Sequence, residues 1–266
     1  MKKYMLKIIM LTISICLLNC AMINVNAEET LKISPHPTPI VAEIEENAIL
    51  VNKNDAATSP NGVKPIDEKV LQELVKADYE KYLNEKDKII KRLTPQPRSY
   101  WQAEGNDAYQ YIAQSTNYEC GVASTMMTLL NINGTTPSRN EVIAGLGTTT
   151  AGTDMTPISQ YLNQKQNRLT YATQWYKNID LMKSHLWSSL VNGGSAIMNV
   201  SLSTSAGWYY NTSGHYFTIY SMLSDYSKVA IADPWGGYVG ESSWRWYDKN
   251  SDVLYNALKH GYIWGS

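Results

Sequence analysis

A chain of 266 residues, 44% hydrophobic and 18% charged, has room for one domain of about 150 to 200 residues plus leader segments. With 23 basic residues against 24 acidic, it lacks the bulk positive charge of a protein that binds nucleic acid or an anionic membrane surface. Its aromatic residues are skewed, 19 Tyr and 8 Trp against 1 Phe, which favours amphipathic rings at the edges of clefts and sheets.

Residues 1–27 read as a signal peptide. Lys2, Lys3 and Lys7 form a basic start, residues 8–18 an apolar run, and Val25-Asn26-Ala27 a small-residue cleavage site before Glu28. The expected location is therefore secreted or at the cell surface, without stable membrane insertion once the leader is removed. A lipoprotein signal anchored at Cys20 is the alternative. Removing the leader's three lysines leaves 20 basic residues against 24 acidic. It also removes Cys16 and Cys20, so the exported chain keeps Cys120 alone and can form no internal disulfide.

Residues 28–95 form an N-terminal extension. Up to about Lys64 the composition is that of an unstructured segment, rich in Pro, Asn and Ser, with residues 40–51 readable as either a strand or a short helix. Residues 66–93 predict a helix with Ile66, Val70, Leu74, Tyr82, Ile89 and Leu93 along one side, stopped by Pro95. That stripe must bury against something. It either packs on the back of the following domain or belongs to a pro-segment that covers a cleft until removed.

Residues 96–266 form the main domain. In residues 114–131, a polar stretch leads into Cys120-Gly121, and Val122, Met126, Leu129 and Leu130 then recur at helical spacing. Cys120 is thus expected at a helix N-terminus, where the dipole and free N–H groups favour a thiolate. The alternative for a lone cysteine is a small buried hydrophobe. Asn133-Gly134 makes a turn, Ser138-x-x-Glu141 resembles a capping box for a helix ending near Gly145, and Thr156-Pro157 opens a helix to about Gln166. Residues 169–175 have strand character, and residues 181–191 are helical, closed by Gly193-Gly194. Strands follow at 196–202, 215–222, 228–232 and near 262–264, with a polar aromatic loop at 207–214. Helices first and a mostly antiparallel sheet after indicate an α+β fold.

A thiolate nucleophile needs a base, usually histidine. Of His36, His185, His215 and His260, only His215 opens a strand directly after a glycine-containing loop. If residues 224–227 turn the chain, Asp233 comes within two or three residues of facing His215. It could then accept a hydrogen bond from His215 Nδ1. An aspartate before proline can equally serve only a turn. Gln114, six residues before Cys120, could share an oxyanion site with the Cys120 backbone N–H. Gly214 and Trp235, beside the histidine and the aspartate, are candidate substrate contacts. The histidines show no zinc-ligand spacing, and no metal or cofactor is called for.

Gln114, Glu119-Cys120-Gly121-Val122-Ala123, Gly214-His215-Tyr216 and Ala232-Asp233-Pro234-Trp235-Gly236 together resemble the papain-like cysteine peptidases related to the bacteriocin-processing domains of export transporters, family thirty-nine of the cysteine peptidases, and its stand-alone secreted branch in particular. The resemblance covers residues 100–264. It implies a papain-like fold with a helical half carrying Cys120 and a sheet half carrying His215 and Asp233. It also implies Cys120 as nucleophile, His215 as base and then acid, Asp233 as orienting group and Gln114 as oxyanion donor. The expected partner is a peptide or protein substrate, and the chain is expected to be a monomer. Many members have aspartate where this chain has Glu119. The double-glycine leader specificity of transporter-linked members is not carried over, because this sequence shows no ATP-binding segment. Two other readings stand beside the peptidase: a cell-wall peptide amidase or endopeptidase, and a non-catalytic secreted binding protein that uses Tyr209, Tyr210 and Trp235 as contacts.

Overall fold

A computed structural model describes residues 60–93, 101–103 and 109–266. The expectations for the signal peptide, Cys16, Cys20, His36 and residues 40–51 lie outside the described residues. No helix among the described residues is long and apolar enough to cross a membrane.

Helix α1 spans Glu68–Arg92 and begins where the Asp67 carboxylate accepts from the Lys69 and Val70 N–H groups. Its inner face is Leu71, Leu74 and Val75, which pack on the main core, together with Ile89. Of the expected stripe, Ile66, Leu74, Tyr82, Ile89 and Leu93 are buried or half-buried, and Val70 is the exception at 47% exposed, with Leu71 packing inward beside it. A polar side chain completes the docking. Buried Asp78 accepts from the Trp175 backbone N–H at 2.5 Å, and Tyr79 and Tyr82 pack on Tyr176.

Strand β1 (Trp101–Ala103) precedes three helices: α2 (Cys120–Asn133), α3 (Arg139–Leu146) and α4 (Met155–Lys165). Gly134 and Gly147 close α2 and α3 in the left-handed conformation. The capping box at α3 is half formed. Ser138 accepts from the Glu141 N–H, while the Glu141 side chain turns to Lys165 at 2.7 Å. Then come β2 (Tyr171–Gln174), α5 (Ile179–Val191), β3 (Ala196–Leu202), β4 (Thr212–Leu223), β5 (Lys228–Ala232), α6 (Pro234–Tyr238), β6 (Trp246–Asn250), α7 (Ser251–Ala257) and β7 (Leu258–Gly265).

The strands make one seven-stranded antiparallel sheet in the order β2-β7-β3-β4-β5-β6, with β1 paired to β4 off that path. Successive side chains on β3 serve opposite faces. Ile197 joins the core under α2 and α4, whereas Met198 and Val200 join a second core with Met182, Leu186 and Leu190 of α5 and Leu254 of α7. With both faces covered, the central strands are buried almost throughout. The α+β fold expected from the sequence is the one observed, with the helical half carrying Cys120 and the antiparallel sheet carrying His215.

Helix α2 differs from its expectation in one respect. The apolar spacing predicted a single buried face, but every residue from Cys120 to Leu130 is buried. The polar positions are accommodated by hydrogen bonds: Thr125 Oγ1 donates to the Gly121 carbonyl, and the Thr128 and Ser195 hydroxyls lie 2.9 Å apart, tying the helix to the sheet.

Candidate active site

Cys120 is the first residue of α2, so its sulfur sits beside backbone N–H groups that have no partner within the helix. Gly121 lets this helix start approach the sheet: a Cβ there would lie 2.9 Å from Thr153 Cβ and 3.2 Å from a ring carbon of Tyr216. The Tyr216 backbone N–H donates to Cys120 Sγ at 3.3 Å, placing a positive dipole on the sulfur from the residue after His215. The thiol is free and fully buried.

His215 lies on the central strand β4, opposite Val200 of β3. The β4–β5 register pairs Thr218 with Ala232, so Asp233, one step further, comes level with the histidine end of the strand. His215 Nε2 bonds Asp233 Oδ1 at 2.8 Å. This corrects the expectation that Nδ1 would make the bond: the distal ring nitrogen reaches the carboxylate, and the proximal Nδ1 is buried. Nδ1 is therefore the nitrogen left to serve Cys120. Burial pushes the His215 pKa down, but the charges of Asp233 and Cys120 more than offset it and raise it to about 9. The ring accordingly carries a proton at neutral pH.

Asp233 is held from every side. Oδ1 also accepts from the Trp235 N–H at 3.0 Å, capping α6, and Oδ2 accepts from the hydroxyls of Tyr210 at 2.5 Å and Tyr247 at 2.7 Å. Burial raises the pKa of both tyrosines well above 10, reinforced by the Asp233 charge, so both remain O–H donors. Four donors leave the carboxylate one orientation.

Gln114 is buried, and its backbone N–H donates to the Pro234 carbonyl at 3.2 Å, which fastens it to the residue after Asp233. Its Nε2 donates to the Thr116 carbonyl at 2.6 Å with one of its two N–H bonds, and Oε1 has no partner. Gly214 lines the groove beside Cys120. Trp235 is 1% exposed and packs against Tyr210 and Tyr238, and its backbone N–H donates to Asp233.

A family model for the Peptidase_C39 like family matches residues 106–262, more than half the chain and all of this site. The chain belongs to the Peptidase_C39 like family. Membership places it among the cysteine-type peptidases. Two solved structures are similar to it. One is the peptidase domain of Streptococcus ComA, a bi-functional ABC transporter involved in quorum sensing, at 15% identity and TM-score 0.42 over 59% of this chain and 98% of that one. The other is a double glycine motif protease from an AMS/PCAT transporter in complex with the leader peptide, at 13% identity and TM-score 0.41 over 58% of this chain and 89% of that one. No curated protein matches the chain.

Within this C39-like domain several contributors escaped the sequence reading. Glu119, which had no chemistry assigned, is buried in an ion pair with Arg139 at 3.3 Å, and Arg139 also donates to the Ala113 carbonyl at 2.8 Å. Together they clamp the segment bearing Gln114 to the start of α2. Tyr247 gave no signal beyond the general abundance of tyrosine, and Tyr210 had been considered only as a binding ring. The other described histidines serve elsewhere: His185 bonds the Tyr262 hydroxyl at 3.1 Å and stacks on Trp264, and His260 lies on β7.

Proposed function

We propose that the chain is an exported cysteine peptidase that hydrolyses peptide bonds with Cys120 as nucleophile, His215 as acid and base, Asp233 as orienting group and Gln114 as oxyanion donor. The observation that carries this is the His215–Asp233 bond made through Nε2, which leaves Nδ1 for a sulfur already receiving the Tyr216 N–H. A protonated His215 beside Cys120 favours a thiolate–imidazolium pair. The thiolate attacks the amide carbonyl, and the oxyanion is met by the Cys120 backbone N–H and the second Gln114 N–H. Collapse of the intermediate breaks the C–N bond while His215 gives its proton to the leaving amine. Neutral His215 then takes a proton from water, whose attack on the thioester releases the acid and restores the thiolate. The sequence of residues 1–27 supports export.

The test is a mass-spectrometric cleavage profile on a peptide library and, separately, on purified peptidoglycan, for the wild type, Cys120→Ala and Gln114→Ala. Peptide cleavage that disappears with Cys120→Ala and falls on the order of 10²-fold with Gln114→Ala is expected. Release of peptidoglycan fragments without cleavage of library peptides would favour the wall amidase instead.

A further inference from the structure

The groove above Cys120 is filled by the chain's own backbone. Residues 60–64, Pro60-Asn61-Gly62-Val63-Lys64, run extended between the two halves of the domain. On the sheet side, Thr212 Oγ1 donates to the Pro60 carbonyl at 2.5 Å and the Gly62 N–H donates to the Gly214 carbonyl at 3.1 Å. On the helical side, the Asn61 N–H donates to the Asn117 carbonyl at 2.8 Å, the Thr153 N–H donates to the Gly62 carbonyl at 2.8 Å, and the Lys64 N–H donates to the Thr153 carbonyl at 3.2 Å. The Lys64 ammonium closes the run on the Gly147 carbonyl at 2.8 Å and Asp154 at 3.5 Å. These are the backbone bonds of strand addition, the means by which an extended peptide is held.

Gly62 stands directly over the thiol. A Cβ built on it would overlap Cys120 Sγ, so glycine is required there by space and not by backbone angle, since Gly62 is not among the residues of positive φ. Val63 is buried beside it, against Gly214. Cys120 beneath Gly62 has no exposed surface, and neither has His215.

We propose that residues 60–64 are an internal occupant of the substrate groove and hold the peptidase in an inhibited state until they are displaced. The proposal rests on Cys120 being the nucleophile. Two features make the segment an inhibitor and not a substrate. The Gly62 carbonyl oxygen is engaged by the Thr153 N–H, a donor other than the Gln114 and Cys120 groups that would have to receive it during attack. The segment is also anchored beyond the groove, because Asp67 caps α1 three residues after Lys64 and α1 is docked through Leu71, Leu74 and Asp78. A tethered ligand rebinds at high effective concentration, so it competes strongly with free peptide.

The test is the rate of Cys120 alkylation by iodoacetamide in the full chain, measured by intact mass for the wild type, Gly62→Ala and Val63→Asp, with circular dichroism to establish that each is folded. Gly62→Ala drives a methyl group into the sulfur, and Val63→Asp puts a charge into the buried wall of the strap. Both should raise the rate about tenfold or more, as expected when a reactive state populated below about a tenth becomes dominant. Equal rates in the three folded chains would overturn the proposal. So would unfolding of both variants, which would make the segment part of the core instead of a displaceable strap. The peptidase reading fails separately: faster alkylation with no peptide cleavage in either variant would keep the strap and remove the activity, whereas peptide cleavage with unchanged alkylation would do the reverse.

Discussion

At the residue scale, the site is governed by how His215 is held. Its two ring nitrogens have different tasks: Nε2 is fixed by a carboxylate that receives three further donors, and Nδ1 is left for Cys120, whose charge and side-chain hydrogen bond both help to hold a proton on the ring. The proton His215 carries sets a pH prediction. The folded pKa is about 9, above the value of about 6.5 for a free imidazole, so protonation favours the folded site. The stabilisation is complete below about pH 6.5 and is lost as pH rises through about 9. Because the imidazolium must also protonate the leaving amine, kcat/KM for a library peptide should hold through neutral pH and fall as pH passes about 9. Thermal melts should show the melting temperature declining earlier, between about pH 6.5 and 9, and levelling off above that. A rate that instead climbs steadily beyond pH 9 would mean the proton on His215 is not used.

At the element scale, the question is what keeps Gln114 in register with Cys120, since the two are joined by a polar loop. Arg139, at the start of α3, bridges Glu119 and the Ala113 carbonyl and so reaches both ends of that loop. Replacing it with alanine leaves Glu119 buried without its counter-charge, for which a loss on the order of 3 kcal/mol is expected in urea unfolding. Arg139→Ala/Glu119→Gln should recover part of that loss, and equal unfolding midpoints for Arg139→Ala and wild type would show the clamp to be idle. This scale also marks what the sequence made legible. Periodicity and glycine stops located α2 to α5 and β3 to β5 because those segments are long or bounded by glycines such as Gly134 and Gly193 in the left-handed region, although α3 runs past the expected stop near Gly145 and closes at Gly147. Strand β6 and helix α7 were missed, since β6 (Trp-Tyr-Asp-Lys-Asn) breaks alternation on an outer strand and α7 is only seven residues long. Cysteine, histidine and aspartate could be read from their local settings. Tyr247 and Arg139 could not, because neither sits in a motif or a turn that marks it out from the chain's other tyrosines and arginines.

At the scale of the whole molecule, the N-terminal extension was expected either to pack on the back of the domain or to cover its cleft. In the structure α1 docks on the core and the Tyr176 edge, and residues 60–64 lie over the thiol. A peptidase closed by its own backbone gives a simple reason why buried Cys120 and His215 can coexist with a chemistry that requires peptide access. The most direct test of the central claim, that Cys120 and His215 act as one catalytic unit, is kcat/KM for a single cleaved peptide in the full chain carrying Gly62→Ala. It would be measured alone and with Cys120→Ala, His215→Ala or both. Residues that work as a unit are far from additive: each single change should lower the rate at least on the order of 10³-fold, and the double change should cost no more than the worse single one. A chain that keeps cleaving within about tenfold of the parent after Cys120→Ala, or losses that multiply in the double variant, would contradict it.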